Sequence, residues 1–256
     1  MIRLTFLLKR KSNFSFVEFQ SYWREYHAPL VASVCRELNI KRYVQVHTLV
    51  DPDESVKEGQ RGPMQRPYDG VAELWFGSTE ALYASSKAAR VASAKLLEDE
   101  HSFIDLERSP GWIGYEIPHI NPTPENIVAE NNSPIVKFYY PLNHPLRMNL
   151  TEVQAYWRMQ HGPLVRKYGS ALQILRYIQV HRIDHEFNQL FAKSRGITVS
   201  PYFGHAELWY NQNNFGLKSP ESKRGALALY EDEAKFIEFE QSSLWFGKEH
   251  VIFDRR

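Results

Sequence analysis

The sequence predicts an α+β fold built twice from one unit. Three observations carry that prediction: an internal duplication, a proline- and asparagine-rich break between the copies, and the same order of strands and helices in each copy. Residues 15–31, SFVEFQSYWREYHAPLV, align with 149–165, NLTEVQAYWRMQHGPLV, at a spacing of 134, with 9 identities in 17 positions. The register holds from RYVQVH (42–47) onto RYIQVH (176–181) and from AELW (72–75) onto AELW (206–209). After a one-residue slip, EDEHSFIDLERS (98–109) lies on EDEAKFIEFEQS (231–242). A period this long is that of a duplicated domain and exceeds any solenoid repeat. Between the copies, residues 118–134 contain four prolines and four asparagines and show no helical periodicity, which predicts an extended linker. The expected organisation is a first unit at 1–117, a linker at 118–134 and a second unit at 135–256.

Within each unit the elements follow in order. IRLTFLL and its counterpart IVKFYYPL are short apolar runs that suit strands. A helix follows, with Phe16, Phe19, Trp23, Leu30, Val34 and Leu38 recurring every three or four residues. Ser15 with Glu18 three places on gives it a capping box. RYVQVHTLV alternates with period two and is rich in β-branched residues, and DGVAELWF is the next strand. A second helical region covers 78–107, opened by Ser78 or Thr79, and GWIGYEI closes the unit. The order β-α-β-β-α-β is the ferredoxin-like one, an antiparallel sheet with both helices on one face. One unit leaves an apolar sheet face bare, so the two are expected to cover each other as an intramolecular pseudo-dimeric α+β barrel.

Composition narrows the function. Lys and Arg number 31 against 30 Asp and Glu, a formal charge of +1, so nothing draws the chain as a whole to nucleic acid or to an anionic membrane. The single cysteine, Cys35, excludes an internal disulfide framework and sits in an apolar run suited to packing. The first apolar run is too short for a signal-peptide core, and no window approaches a membrane span, so a cytoplasmic protein is expected. Glycine-rich phosphate loops, paired cysteines and His-Glu-x-x-His are absent from the sequence, and no metal site is expected.

The chemistry-bearing stretches are YWREYHAPLV (22–31) and YWRMQHGPLV (156–165). Pro29 cannot donate a backbone hydrogen bond and biases Ala28 away from helical dihedrals. The first helix is therefore expected to end or kink at His27. His27 lies four after Trp23 and three before Leu30, on the core-facing stripe, and a neutral imidazole is expected there. On the following strand Tyr43, Gln45 and His47 share one face, as Tyr177, Gln179 and His181 do in the second copy. Glu73 and Glu207 lie within apolar strands and need partners, for which Arg24 or Arg158 are candidates. Asp99, Glu100, Asp232 and Glu233 read as a solvated helix face.

These strings, together with YDGVAELWF and EDEHSFID, resemble the EthD-like branch of the dimeric α+β barrel superfamily over nearly all of both copies. The resemblance implies small enzymes without cofactor, among them polyketide dehydratases or decarboxylases and lactone isomerases. A helix histidine and a strand tyrosine would share their cavity. It makes His27 and His161 the expected general acid or base, and Tyr43 and Tyr177 the expected hydrogen-bond donors to an enolate oxygen. Trp23, Gln45, His47, Asp69, Glu73, Trp75, Trp157, Gln179, His181, His205, Glu207 and Trp209 are the expected substrate-binding set. Asp69 matches the family string, whereas the second copy has Phe203 there and His205 in place of Val71, so the two pockets are expected to differ. The expected function is a cofactor-independent lyase or isomerase of a hydrophobic, oxygenated small molecule. The alternatives are an oxygen- or haem-dependent oxidoreductase on the same barrel and a non-catalytic carrier. A further homodimer of the whole chain is left open.

Overall fold

The computed structural model describes residues 1–54, 60–83, 86–123, 126–214, 216 and 218–256. The first half runs β1 (Ile2–Leu8), α1 (Phe16–Tyr22), a π-helical turn (Trp23–His27), α2 (Ala28–Ser33), β2 (Arg42–Thr48), β3 (Gly70–Phe76), α3 (Lys87–Phe103) and β4 (Gly111–Ile120). The second runs β5 (Ile135–Leu142), α4 (Leu150–Tyr156), a second π-turn (Trp157–His161), α5 (Gly162–Tyr168), β6 (Arg176–Arg182), α6 (Glu186–Arg195), β7 (Gly204–Asn211), α7 (Pro220–Glu233) and β8 (Trp245–Asp254). Apart from α6, the halves repeat the predicted order.

All eight strands close into one antiparallel barrel in the order β1-β3-β2-β8-β5-β7-β6-β4. Each half contributes four adjacent strands, and the halves are stitched where β2 meets β8 and β4 meets β6. Both seams carry the same irregularity: the register steps from Tyr43↔Phe253 to Val44↔Val251, and from Ile120↔Tyr177 to Pro118↔Ile178. The expected linker therefore begins later than residue 118. Pro118 sits beside a bulge, where a residue without an N–H is tolerated in a sheet. Residues 124 and 125 of the expected linker lie outside the described residues.

Strand alternation splits the core in two. Leu4, Phe6, Leu8, Tyr43, Ala72 and Phe76 face the helices of the first half, while Leu7, Val44, Val46, Val71 and Trp75 face the barrel interior with Trp112, Tyr139 and Trp245. The capping box at Ser15 forms, with Glu18 bonded back to it, and Asn149 and Glu152 repeat it at α4. The second helical region differs from expectation: Ser78 and Thr79 precede only a short 3₁₀ turn (Glu80–Leu82), and α3 starts at Lys87 under the Ser86 cap. Residues 84 and 85 of that expected helix lie outside the described residues. Among the described residues no helix is long and apolar enough to cross a membrane.

Candidate active sites

The histidine before the proline does not end the helix. Ala28 keeps right-handed helical dihedrals (φ −60°, ψ −47°), and the turn widens so that its N–H bonds the Trp23 carbonyl five residues back. The expected break is thus a π-turn, which takes up Pro29 at the start of α2 while the backbone stays helical. It leaves Trp23 and His27 buried side by side. The ring of Trp23 lies on β3, where Gly70 leaves room for it; a Cβ there would run into the indole.

A chain of hydrogen bonds fixes the polarity of the tyrosine. The Gln45 amide nitrogen donates to the Trp23 carbonyl (2.8 Å) and to Tyr43 Oη (2.9 Å), and His47 Nε2 lies 3.0 Å from Gln45 Oε1. A carbonyl only accepts, so the Gln45 group beside Trp23 must be its NH₂, and His47 must donate to its oxygen. Burial pushes His47 well below the usual histidine range, which keeps it neutral. Trp23 Nε1 also donates to Tyr43 Oη, at 3.0 Å. Burial pushes the ionisation of Tyr43 up and outweighs the two donors on its oxygen, which act to lower it; Tyr43 keeps its proton and lines the cavity.

His27 is fixed in the same manner. Its Nδ1 lies 2.6 Å from Asp99 Oδ2, and the other oxygen of Asp99 accepts from Tyr22 Oη at 2.7 Å. Burial works to raise Asp99, but the bonds from His27 and Tyr22 outweigh it and hold the carboxyl below its ordinary value. An ionised carboxylate only accepts, so Nδ1 carries the proton and the lone pair of a neutral imidazole falls on Nε2. Among the described residues Nε2 has no hydrogen-bond partner, and His27 lines the same cavity as Tyr43.

That cavity, of about 750 Å³, lies between the first half's strands and α3. Its walls are mostly apolar, among them Leu4, Phe6, Leu74, Leu97, Phe187 and Phe191. The polar exceptions include Glu100, which is held by Arg195 through two bonds of 2.8 and 3.0 Å. The second half repeats the machinery. His161 Nδ1 lies 2.8 Å from Asp232 Oδ2, Tyr156 Oη donates to Asp232, and Tyr177 Oη accepts from Trp157 Nε1 (3.2 Å) and Gln179 Nε2 (2.9 Å). The cavity faced by His161 and Tyr177 measures only about 190 Å³, and Arg61 and Glu233 are among its walls.

Asp99 and Asp232, expected on a solvated face, instead orient the two histidines. The other expected residues divide between two places. Trp23 and Trp157 line the cavities, and Gln45, His47, Gln179 and His181 stand behind the tyrosines as supports. Asp69, Glu73, Trp75, His205, Glu207 and Trp209 do not reach either cavity. Asp69 pairs with Arg10, and the other five face the barrel interior because alternation turns them away from the helices.

In that interior the partners of Glu73 and Glu207 are Arg3 and Lys137, one from the first strand of each half. Arg24 and Arg158, the partners expected from sequence, are exposed. Lys137 Nζ lies 2.8 Å from Glu73, 3.0 Å from Glu207 and 3.3 Å from Glu249. Two buried cations thus face three buried carboxylates. Burial raises Glu73, while Arg3 and Lys137 outweigh burial and hold Glu207 down. A proton on Glu73 balances the charge. Glu73, His205 and Glu207 are close enough to hold a metal ion, yet the two carboxylates are already bonded to Arg3 and Lys137.

With this geometry in view, comparison places the chain. The EthD domain model matches residues 11–107 and 146–240, and the protein belongs to that family. No curated protein matches the chain. Solved structures with a similar course include a provisionally named monooxygenase from Lactobacillus acidophilus. It is 9% identical, with 98% of this chain and 94% of that one covered and a TM-score of 0.47. Another is the DyP-type peroxidase of Mycobacterium smegmatis, 11% identical, with 98% and 93% covered and a TM-score of 0.45.

Proposed function

We propose that the first cavity binds a hydrophobic, oxygenated small molecule and performs proton-transfer chemistry on it: isomerisation, or loss of water or carbon dioxide. The observation that carries this is that one cavity is lined by both an Asp-oriented imidazole, whose Nε2 has no partner among the described residues, and a tyrosine whose oxygen already accepts two hydrogen bonds. His27 Nε2 takes a proton from carbon beside a carbonyl. Tyr43 donates to the oxygen on which charge then develops, and Asp99 stabilises the imidazolium. His27 returns the proton to a different carbon or to the departing hydroxyl. For loss of carbon dioxide the C–C bond to the carboxylate breaks first, Tyr43 bonds the enolate oxygen so formed, and protonated His27 gives its proton to the carbon. Apolar walls exclude water and strengthen each of these interactions. A volume of about 750 Å³ suits a ligand of two or three fused rings.

The test is exchange of solvent deuterium into a panel of apolar lactones and aryl ketones, followed by NMR. Wild-type protein is expected to accelerate exchange. The His27→Gln, His161→Gln double variant is expected to lose about 10²-fold or more while keeping its melting temperature. A double variant that melts much earlier yet exchanges as fast per folded molecule would return both histidines to a packing role.

A second reading is favoured by the same imidazole. A histidine with Nδ1 on a carboxylate and its other ring nitrogen unpartnered among the described residues, lining a mostly apolar cavity, would also suit a haem iron. The donor and the space therefore fit that group, with His27 as the residue that would hold it. Bound haem would supply redox chemistry with oxygen or peroxide. Reconstitution with haemin separates the readings: a Soret band that shifts in His27→Gln supports haem, and an unchanged spectrum of free haemin removes it.

A further inference from the structure

In each half the connection between the second and third strands crosses onto the other half's cavity, and the two crossings do opposite things. The second half's connection carries α6, whose Phe187, Leu190 and Phe191 wall the first cavity and leave it open. The first half's connection sends Arg61 into the second cavity. There its guanidinium grips Glu233 through Nε (2.7 Å) and one terminal nitrogen (2.9 Å) and lies 5.6 Å from the centre of the Tyr140 ring. Glu233 is the duplicate of Glu100, so both carboxylates are held by an arginine from the opposite half. Arg195 holds its partner as one part of the wall of a cavity of about 750 Å³, whereas beside Arg61 and Glu233 only about 190 Å³ remains. The floor has also filled in: Leu4, Phe6 and Phe76 of the first half correspond to Phe138, Tyr140 and Tyr210.

We propose that Arg61 is a built-in plug that closes the second cavity to ligand behind intact His161, Asp232 and Tyr177. The chain then carries one working site, and removing the plug restores a second site for an uncharged apolar molecule. This rests on reading the first cavity as a ligand site. A small neutral side chain at 61 opens the space, and Glu233 must lose its charge in the same step, because an unpaired buried carboxylate would otherwise repel an apolar ligand.

The experiment is a fluorescence titration with N-phenyl-1-naphthylamine, an uncharged apolar probe. Wild type is expected to bind one equivalent per chain and Arg61→Ala, Glu233→Gln two. Ala94→Trp, which fills the first cavity, is expected to abolish the wild-type equivalent and to leave one in the unplugged background. Arg61→Lys, which keeps a cation on Glu233, is expected to stay at one. Two equivalents in wild type would overturn the plug without recourse to any variant, which covers the case in which the double variant fails to fold. A folded double variant that still binds one would overturn it as well. No probe bound by wild type but one gained on unplugging would overturn the reading of the first cavity and leave the plug supported.

Discussion

The two halves hold the same histidine, aspartate, glutamine and tyrosine groups at nearly the same distances and present them to different spaces. His27 and His161 sit 2.6 and 2.8 Å from their aspartates, and Gln45 and Gln179 hold their tyrosines at 2.9 Å in both. The cavities these parts face measure about 750 and 190 Å³. Duplication has preserved the hydrogen-bonded scaffold, in which each member is fixed by the others, while the walls, where one side chain can change alone, have diverged. The lesson is that a copied motif reports a copied scaffold and leaves the function of each copy to its walls.

The most direct way to break this comparison is to remove the histidines singly. His27→Gln is expected to lower deuterium exchange about 10²-fold or more, and His161→Gln by less than about threefold, if chemistry runs only in the open cavity. Equal losses from the two variants would show two equivalent sites and dissolve the contrast.

The parts of the molecule legible in its sequence are those fixed by near neighbours or by the duplication itself. Ser15 and Glu18 announced the helix start because a capping box spans four residues, and RYVQVH showed which side chains share a face. Closure of the barrel followed from two copies each with a bare sheet face. What stayed hidden depends on distant partners. Asp99 reads as one of several helix acids, and only the packing of α3 against the π-turn aims it at His27. Arg3 and Lys137 look like strand-edge cations until the barrel closes over them. Helix α6 had a local signal, with Phe187, Leu190 and Phe191 at helical spacing and Gly196 in the left-handed region as its stop. The matching stretch of the first copy, 52–61, shares only its arginine with this one, so the alignment of copies concealed it. Arg61 falls on Arg195 at the spacing of 134, but its partner lies 172 residues away, so the sequence shows a repeated cation and not what it grips.

A second comparison lies in the barrel interior, between the duplicated carboxylates. Glu73 is raised by burial, so its proton favours the fold. That contribution is present at low pH and is lost as pH rises from the ordinary carboxylate range through the raised value. Glutamine at 73 mimics the protonated form that burial favours, so Glu73→Gln is expected to change stability by less than about 1 kcal/mol at pH 7 and to flatten its decline toward pH 9. Glu207→Gln removes a charged partner that Arg3 and Lys137 share and weakens the bond from His205 by making its acceptor neutral, and it shifts the charge demand onto Glu73. It is expected to cost about 1–3 kcal/mol. Urea unfolding of both variants at pH 7 and 9 measures this, and identical curves would show that the proton is shared evenly between the halves.

The smallest expected effect distinguishes the two aspartates in acid. Burial acts to raise Asp232, but bonds from His161, Tyr156 and Lys235 outweigh it and bring the carboxyl down to about 2. Asp99 is lowered by His27 and Tyr22 without a lysine. A carboxyl held below its unfolded value of about 3.9 contributes stability that is fully present above that value and is lost as pH falls through the folded one. The contribution of Asp232 should therefore persist down to about pH 2, while that of Asp99 is exhausted earlier in the descent. Asp99→Asn and Asp232→Asn are both expected to be less stable than wild type at pH 5. On acidification the Asp99→Asn curve should rejoin wild type first. Unfolding midpoints taken every half unit between pH 2 and 5 would read this order, and the reverse order would mean that Lys235 holds Asp232 too weakly to set the two halves apart.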